Sequence, residues 1–600
     1  MRKNQYNQII ASLLLLIVLV TSCNYFENHE NEIESGINIE QLKSEISITL
    51  NDTIFLSSLT NIEKTLIDTI PTLYSSNSYS PIWISEYVDT LQIESLLNFF
   101  DKVTTHGLNP ERYYYSNLTG KYYSLIKNKE KQVIEDYSAL AKVEILLSLS
   151  FLQYQKNILY GVINPREHDK ENYDIPIVER SENIYDNLFH KDKLNVLNRI
   201  QPTSRRYVGL QNALKFYEDF SKSVNWVTIP PLNGKIEIGK QSTLLNPIAQ
   251  NLMSLGLLDS SYHLPFPPSY DTTLFEAIKR FQALYGLKDD GVIGFQTVEQ
   301  LSISPSERVE QIKVNLERFR WTAYTDSLSY ILVNIPDFTL YAYKNRELKT
   351  TIKVCVGQKR ERNYDQKIEV YRKTKKWAHL PKNFETPQVY SRINQIITNP
   401  PWNVPTSIAK NETYYEIKKD SNYLNDKKFK VLQGGKVIDH NEINWKEYSP
   451  TNLPFSFVQE PGWANALGRM KFMFRNKYDI YLHDTPTRGP FATANRAVSH
   501  GCVRVEKPIQ FAEFITSLTN QSSLDEVRME LGMRPENPDR LKNYKTANNR
   551  TKYFNLDSTI PLYVDYFTAW VDENNQLQFR PDVYEKDKKL FMALKEVEKF

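Results

Sequence analysis

Near residue 310 the apolar pattern changes period, and that change divides what the chain can fold into. Upstream, in Tyr137-Ser138-Ala139-Leu140-Ala141-Lys142-Val143-Glu144-Ile145-Leu146-Leu147-Ser148-Leu149, apolar side chains recur at helical spacing and nearly encircle the axis, which predicts a buried helix in a mainly helical region. Downstream, the stretches 330–335, 339–343 and 349–354 alternate with period two. Turns at Pro336-Asp337 and Lys344-Asn345-Arg346 separate them, the pattern of an antiparallel meander. At 600 residues the chain is too long for a single core, so an α+β fold of three or more domains is expected.

The mainly helical part is expected over 46–235, as a scaffold, and 236–303 as a separate small three-helix module. There Leu274, Ile278, Phe281 and Leu284 fall at helical intervals, a loop punctuated by Gly286, Gly291 and Gly294 follows, and a further helix runs through Val298 and Leu301. A mainly β, β-sandwich-like domain is expected over 310–600, with a helix at 508–518 and a hairpin joining 561–571 to 577–580. The charge-rich stretch 357–384, where Glu361, Asp365 and Glu369 stand among lysines and arginines, is expected to be a solvated loop or extended hairpin.

Within the β region stands Ser499-His500-Gly501-Cys502-Val503-Arg504-Val505, and His483-Asp484 places an imidazole nineteen positions before the cysteine. A cysteine attacks carbonyls as thiolate, and a positioned histidine can take its proton and later return it to a leaving amine. Tyr478, Ile480 and Leu482 alternate as a strand would, carrying His483 at its end. Gly501 permits a tight bend that frees neighbouring N–H groups, those of Gly501 and Cys502, to bind an oxyanion. Arg504, two residues beyond Cys502 on the same side of an extended segment, suits a substrate carboxylate. The catalytic candidates are therefore Cys502, His483, His500 and Gly501. His483 is preferred as base, oriented by Asp484 or a backbone carbonyl, although sequence alone does not decide between it and His500.

These residues resemble the YkuD-type L,D-transpeptidase catalytic domain: a histidine, a spacer, then Ser/Thr-His-Gly-Cys, an apolar residue and Asn or Arg. Asn465-Ala466-Leu467-Gly468, Lys471-Phe472, His483-Asp484-Thr485-Pro486 and Arg496-Ala497 are similar to the large multidomain branch of that family. The Gly107-Leu108-Asn109-Pro110-Glu111 turn resembles that branch's scaffold domain, and Ala-Ile-Lys-Arg-Phe-Gln with Asp-Gly-Val-Ile-Gly in the small module resembles a peptidoglycan-binding domain. The resemblance implies a Cys502 thioester with peptidoglycan stem peptides, release of D-alanine and a 3→3 cross-link. It also implies a lid insertion at about 406–460 over the cleft. Transfer to water or a free D-amino acid, giving a carboxypeptidase or exchange enzyme, and a silent wall-binding protein remain open alternatives.

Arg504, Ser499, Tyr481 and Asp484 are placed on the substrate side of the site. Ser499 is expected chiefly to brace the loop. Tyr481, like Trp402 and Trp463, is read as a core aromatic before a stacking platform for sugar. Arg496 is left open. His29, His106, His168, His190, His263, His379 and His440 are read as structural. A zinc site from His483, His500 and Cys502 lacks a fourth ligand, and neither metal nor cofactor is expected.

Arg2 and Lys3 precede a twelve-residue apolar run, Ile9 to Val20, that suits a signal peptide over 1–22. Val20-Thr21-Ser22-Cys23 resembles a bacterial lipobox, implying a lipid on Cys23, a membrane anchor and an exported, periplasmic location, with 23–45 as a flexible tether. Losing Arg2 and Lys3 takes the formal charge from +3 to +1, which offers no global field for nucleic acid. Of the three cysteines, Cys355 is expected to be a free, buried strand residue.

Overall fold

The computed structural model describes residues 32–34, 37–84, 87–127, 136–176, 183–322, 327–376, 379–519, 522–543 and 550–597. The expected signal peptide, Cys23 and His29 lie outside these residues. Among the described residues no helix is long and apolar enough to cross a membrane. The chain divides into two compact units, one of 1–103, 109–155 and 182–200, the other of 104–108, 156–181 and 201–600.

The first unit is helical. Its helix Ile39–Leu50 begins inside the stretch expected as tether, because Asn38 caps it by accepting the Gln41 N–H at 3.1 Å and Leu42, Ile46 and Leu50 are buried along one face. The apolar run that opens at Tyr137 is the start of helix Tyr137–Tyr160. Its one early acid, Glu144, is fully buried and accepts the N–H groups of Ile82 (2.5 Å) and Ile84 (3.0 Å) and the Tyr74 hydroxyl (2.8 Å). A carboxylate thus terminates the backbone donors of the irregular 82–84 segment, which has no helix or strand to satisfy them.

In the second unit the helices Leu245–Ser254, Thr272–Leu284 and Phe295–Ser302 form the expected small module. Their core is continuous with Tyr207, Leu210 and Leu214 of helix Arg205–Ser223, Ile312 and Leu316 of helix Pro305–Trp321, and Trp570 and Phe579. Helix Pro305–Trp321 carries a buried ion pair, Arg320 with Glu317 at 2.5 Å. Glu317 also accepts the N–H groups of Val162 (2.6 Å) and Ile163 (2.8 Å), and Arg320 donates to the His106 carbonyl and the Tyr207 hydroxyl, both at 2.9 Å. His106 is itself buried against that hydroxyl at 2.9 Å, and burial pushes its imidazole down to about 3.

The period-two stretches form strands Tyr330–Asn334, Thr339–Lys344 and Glu347–Gly357 of a ten-stranded mixed sheet. From Met470–Phe474 the order runs through Leu482–His483, Val503–Val505, Glu347–Gly357, Thr339–Lys344, Tyr330–Asn334 and Lys552–Asp565 to Gln388–Thr398. Gln388–Thr398 also pairs antiparallel with Met470–Phe474, so the sheet closes on itself. Inside lie Val333, Leu340, Val354, Ile393, Phe472, Leu482, Val503 and Val564, and helix Pro508–Leu518 adds Phe511 and Ile515. Each such fully buried side chain contributes about 1.5–3 kcal/mol. Cys355 is a free, buried thiol that burial pushes up to about 11.

Three local expectations are corrected. The charge-rich stretch contains helix Tyr364–Thr374, whose charges pair one turn apart, as Arg372 does with Glu369, while Tyr364 alone of its residues is buried. The run 561–571 is broken, since Phe567 and Thr568 give their N–H groups to Asn334 (2.9 Å) and Asn315 (3.0 Å) and leave the sheet before the hairpin of Ala569–Val571 with Leu577–Phe579. Trp463 is 79% exposed, because buried Asn465 pins its turn by donating to Pro400, Gln459 and Glu460 carbonyls and leaves the indole outside the core.

Candidate active site

Two short parallel strands, Leu482–His483 and Val503–Val505, build the site, with Leu482 level with Val503 and His483 level with Arg504. The Val503 N–H donates to the Tyr481 carbonyl at 3.1 Å, which extends the pairing one step back. By alternation Tyr481 and His483 share a face with Cys502 and Arg504, so imidazole and thiol face one cleft from adjacent strands. The alternation from Tyr478 to Leu482 is not all strand. Asn476 accepts the N–H groups of Tyr478 (3.0 Å) and Ile480 (3.1 Å) and Asp479 has a φ of 55°, so a locked turn delivers the chain to His483.

The cleft, of about 1590 Å³, is lined by Tyr481, His483, His500, Cys502, Arg504 and Lys471 on one side and by residues 401–415 on the other. Those latter residues belong to an insertion with its own core around Val431, Phe455 and Phe457. Its four-stranded sheet runs in the order Lys436–Ile438, Phe429–Gln433, Phe455–Gln459, Trp402–Asn403.

His483 is buried, and its Nδ1 lies 2.5 Å from the Asp484 carbonyl oxygen. A carbonyl only accepts, so Nδ1 carries the proton and Nε2 is left with its lone pair. Burial pushes the imidazole down to about 3, with the Arg504 guanidinium and the Lys471 ammonium acting in the same direction. The orienting group is thus the carbonyl of Asp484. Its carboxylate is turned away, accepting the Arg469 N–H at 2.8 Å and pairing with Arg488 at 2.5 Å. Gly468 is required beside it, because a Cβ there would lie 2.4 Å from Asp484 Cγ.

Burial raises the Cys502 thiol above its ordinary value, opposed by the Tyr481 N–H and hydroxyl as hydrogen-bonding partners and by the charges of Lys471 and Arg504. Both shifts favour the uncharged forms, thiol and neutral imidazole. Alkylation of Cys502 by iodoacetamide is therefore expected to be slow at neutral pH and to climb about tenfold per pH unit past the ordinary thiol range near 8.5. A plateau in that rate below the ordinary range would show a preformed thiolate instead.

His500 turns the other way. Its Nε2 meets Glu412 of the insertion at 2.5 Å and its ring stands edge-on to Phe384, with centroids 4.4 Å apart. The bond to His500 holds the Glu412 carboxyl below the usual range. Ser499 Oγ donates to the Cys502 carbonyl at 2.6 Å and accepts the Gly501 N–H at 3.2 Å. Ser499 thus engages the Gly501 N–H, whereas the Cys502 N–H makes no hydrogen bond among the described residues. Gly501 itself has a φ of 109°, a backbone conformation that side-chain-bearing residues rarely adopt. The Arg504 guanidinium makes no hydrogen bond or ion pair among the described residues. Arg496 donates to the carbonyls of Val354 (3.2 Å), Thr493 (3.0 Å), Asp337 (3.3 Å) and Phe338 (3.2 Å), which makes it a brace of the sheet.

With this geometry in view, residues 328–535 match the family model described as the L,D-transpeptidase catalytic domain. This stretch is thus similar to L,D-transpeptidase catalytic domains of the YkuD type. Residues 68–214 match a scaffold domain and 248–301 a "Putative peptidoglycan binding domain". A protein of Haemophilus influenzae named "Putative L,D-transpeptidase" is 30% identical over 304 residues, covering 50% of this chain and 53% of that protein. The chain thus spans about half the length of the curated relative it matches. Two solved structures of L,D-transpeptidases are similar at lower identity. That from Xylanimonas cellulosilytica is 15% identical, covers 49% of this chain and 94% of its own, and has a TM-score of 0.16. That from Stackebrandtia nassauensis is 11% identical, covers 48% and 91%, and has a TM-score of 0.18.

Around the cleft, Lys471 was noted from sequence only within the Lys471-Phe472 string and Trp402 only as a core aromatic, while Glu412 and, behind the loop, Thr386 were given no part in the site. Lys471 sits level with His483 on the neighbouring strand, its ammonium 3.6 Å from the Tyr481 ring centroid. A lysine inside the apolar Met470-Lys471-Phe472-Met473-Phe474 alternation was the available signal. Trp402 lines the same cleft as Tyr481. Glu412 and Thr386, remote in sequence, carried no local mark.

Proposed function

We propose that this chain is an L,D-transpeptidase that joins peptidoglycan stem peptides by 3→3 cross-links through a thioester on Cys502. The observation that carries the proposal is the His483 imidazole, its Nδ1 bound to the Asp484 carbonyl and its Nε2 left with a lone pair, on the same face of two adjacent parallel strands as the Cys502 thiol. His483 Nε2 takes the thiol proton as Sγ attacks the carbonyl between the third residue of a tetrapeptide stem and its terminal D-alanine. The tetrahedral oxyanion meets the Cys502 N–H. The C–N bond then breaks, and the proton on Nε2 passes to the departing amine of D-alanine. A side-chain amine of a second stem attacks the thioester carbonyl, gives its proton to Nε2, and the thiolate leaves and is reprotonated.

The unpaired Arg504 guanidinium supplies the cation for the carboxylate of the donor stem. The insertion acts as a lid that gates stem peptides and water, with Glu412 and His500 meeting where it overhangs the cleft. The small helical module contacts the wall, and a lipid on Cys23 holds the protein in the cell envelope. Transfer to water or to a free D-amino acid would use the same parts and differs only in what resolves the thioester.

A carbapenem tests the nucleophile, since opening of its β-lactam ring leaves the whole molecule on sulfur. Intact mass spectrometry is expected to find one carbapenem added to the folded protein and none on Cys502→Ala. An adduct of equal extent on both would place the reacting group elsewhere.

A further inference from the structure

Resting on this acyl-transfer mechanism, the geometry points to Thr386 as the positioning residue of the oxyanion donor, locked in turn by Tyr584. The Gly501 carbonyl and the Cys502 N–H belong to one peptide unit. In a planar trans peptide these two groups point in opposite directions. Whatever holds the carbonyl therefore aims the N–H. The Thr386 hydroxyl does so, donating to the Gly501 carbonyl at 2.8 Å from a fully buried position. On the far side of the same peptide the Cys502 N–H makes no hydrogen bond among the described residues.

Thr386 is held in place, because both its hydroxyl and its N–H are committed. Its Oγ1 accepts the Gly357 N–H at 2.8 Å, so the hydroxyl proton is directed at Gly501. Its N–H donates to the Tyr584 hydroxyl at 3.1 Å, and that hydroxyl donates onward to the Gly357 carbonyl at 2.7 Å. Tyr584 is buried, and its N–H donates to the Tyr566 hydroxyl at 2.9 Å. Gly357 admits this closed set of bonds because it lacks a side chain; a Cβ there would lie 1.7 Å from the Phe384 carbonyl oxygen. Two residues far from the Ser-His-Gly-Cys string, one from 386 and one from the C-terminal part, thus fix the orientation of a peptide in the catalytic loop. Neither touches the cleft-facing atoms of Cys502, His483 or Arg504.

A reaction with an oxyanion and one without it separate this role from general support. Carbapenem acylation of Cys502 passes through a tetrahedral oxyanion, whereas alkylation by iodoacetamide displaces iodide and has none. With the full chain, Thr386→Val is expected to slow acylation about 10²-fold, the scale of losing one oxyanion donor, and to leave alkylation at the wild-type rate. Thr386→Ser, which keeps the hydroxyl, restores acylation. Tyr584→Phe leaves Thr386 in place and carries the test if Thr386→Val does not fold; the same selective loss, smaller in size, is expected. Wild-type acylation rates in the folded variants, or equal losses in both reactions, would overturn the assignment. A wild-type protein that alkylates but never acylates would instead overturn the acyl-transfer mechanism beneath it.

Discussion

His483→Asn is expected to lower both carbapenem acylation and turnover of tetrapeptide stems by about 10²- to 10⁴-fold, the range for loss of a general base. Asparagine keeps a polar group near the Asp484 carbonyl, so the burial of the site is disturbed little, but it has no basic nitrogen for the thiol proton. His500→Asn serves as the comparison. Its Nε2 is spent on Glu412 at 2.5 Å, and its removal frees the insertion without removing the base. A small effect from His500→Asn beside a large one from His483→Asn assigns the base; the reverse order would transfer that role to His500. Rates are read from the time course of adduct mass.

Glu317→Ala carries the largest expected effect on stability. Arg320 and Glu317 are buried with side-chain exposures of 1% and 0%. Removing the carboxylate leaves a buried guanidinium unpaired and strips the Val162 and Ile163 N–H groups of their acceptor, a loss of about 3–5 kcal/mol. The double variant Glu317→Ala/Arg320→Leu takes away both charges and is expected to recover part of that loss. Thermal unfolding of the single, double and parent proteins decides it. A single variant that melts with the parent would show that the pair does not hold this part of the fold.

The meander was legible because its apolar residues recur with period two between turn signals, and Tyr330–Asn334, Thr339–Lys344 and Glu347–Gly357 pair as that pattern reads, although Tyr330–Asn334 is buried on both faces. The Ser499–Cys502 loop was legible because its residues are local: cysteine, glycine and serine lie within four positions, and Ser499 closes the turn on Cys502 itself. What escaped was whatever depends on distant chain segments. Sequence left the Asp484 carboxylate and a backbone carbonyl both open as the partner of His483, and only Arg469 and Arg488, which draw off the carboxylate, decide for the carbonyl. The Gly501 N–H looked free until Ser499 was seen to accept it. Closure of the sheet rests on Gln388–Thr398 pairing with two strands at once, and no window of sequence contains that information. The helix Tyr364–Thr374 was hidden for a different reason. A mostly exposed helix stabilised by charge pairs presents no apolar stripe to mark its period.

The most direct test of transpeptidation is intact mass spectrometry of the products formed when the purified protein is incubated with disaccharide-tetrapeptide. The expected product is a dimer lacking one D-alanine, whose fragmentation joins the third residue of one stem to the third residue of the other. Monomeric tripeptide as the sole product with an acceptor stem present, or unchanged tetrapeptide with Cys502 reduced, would contradict it.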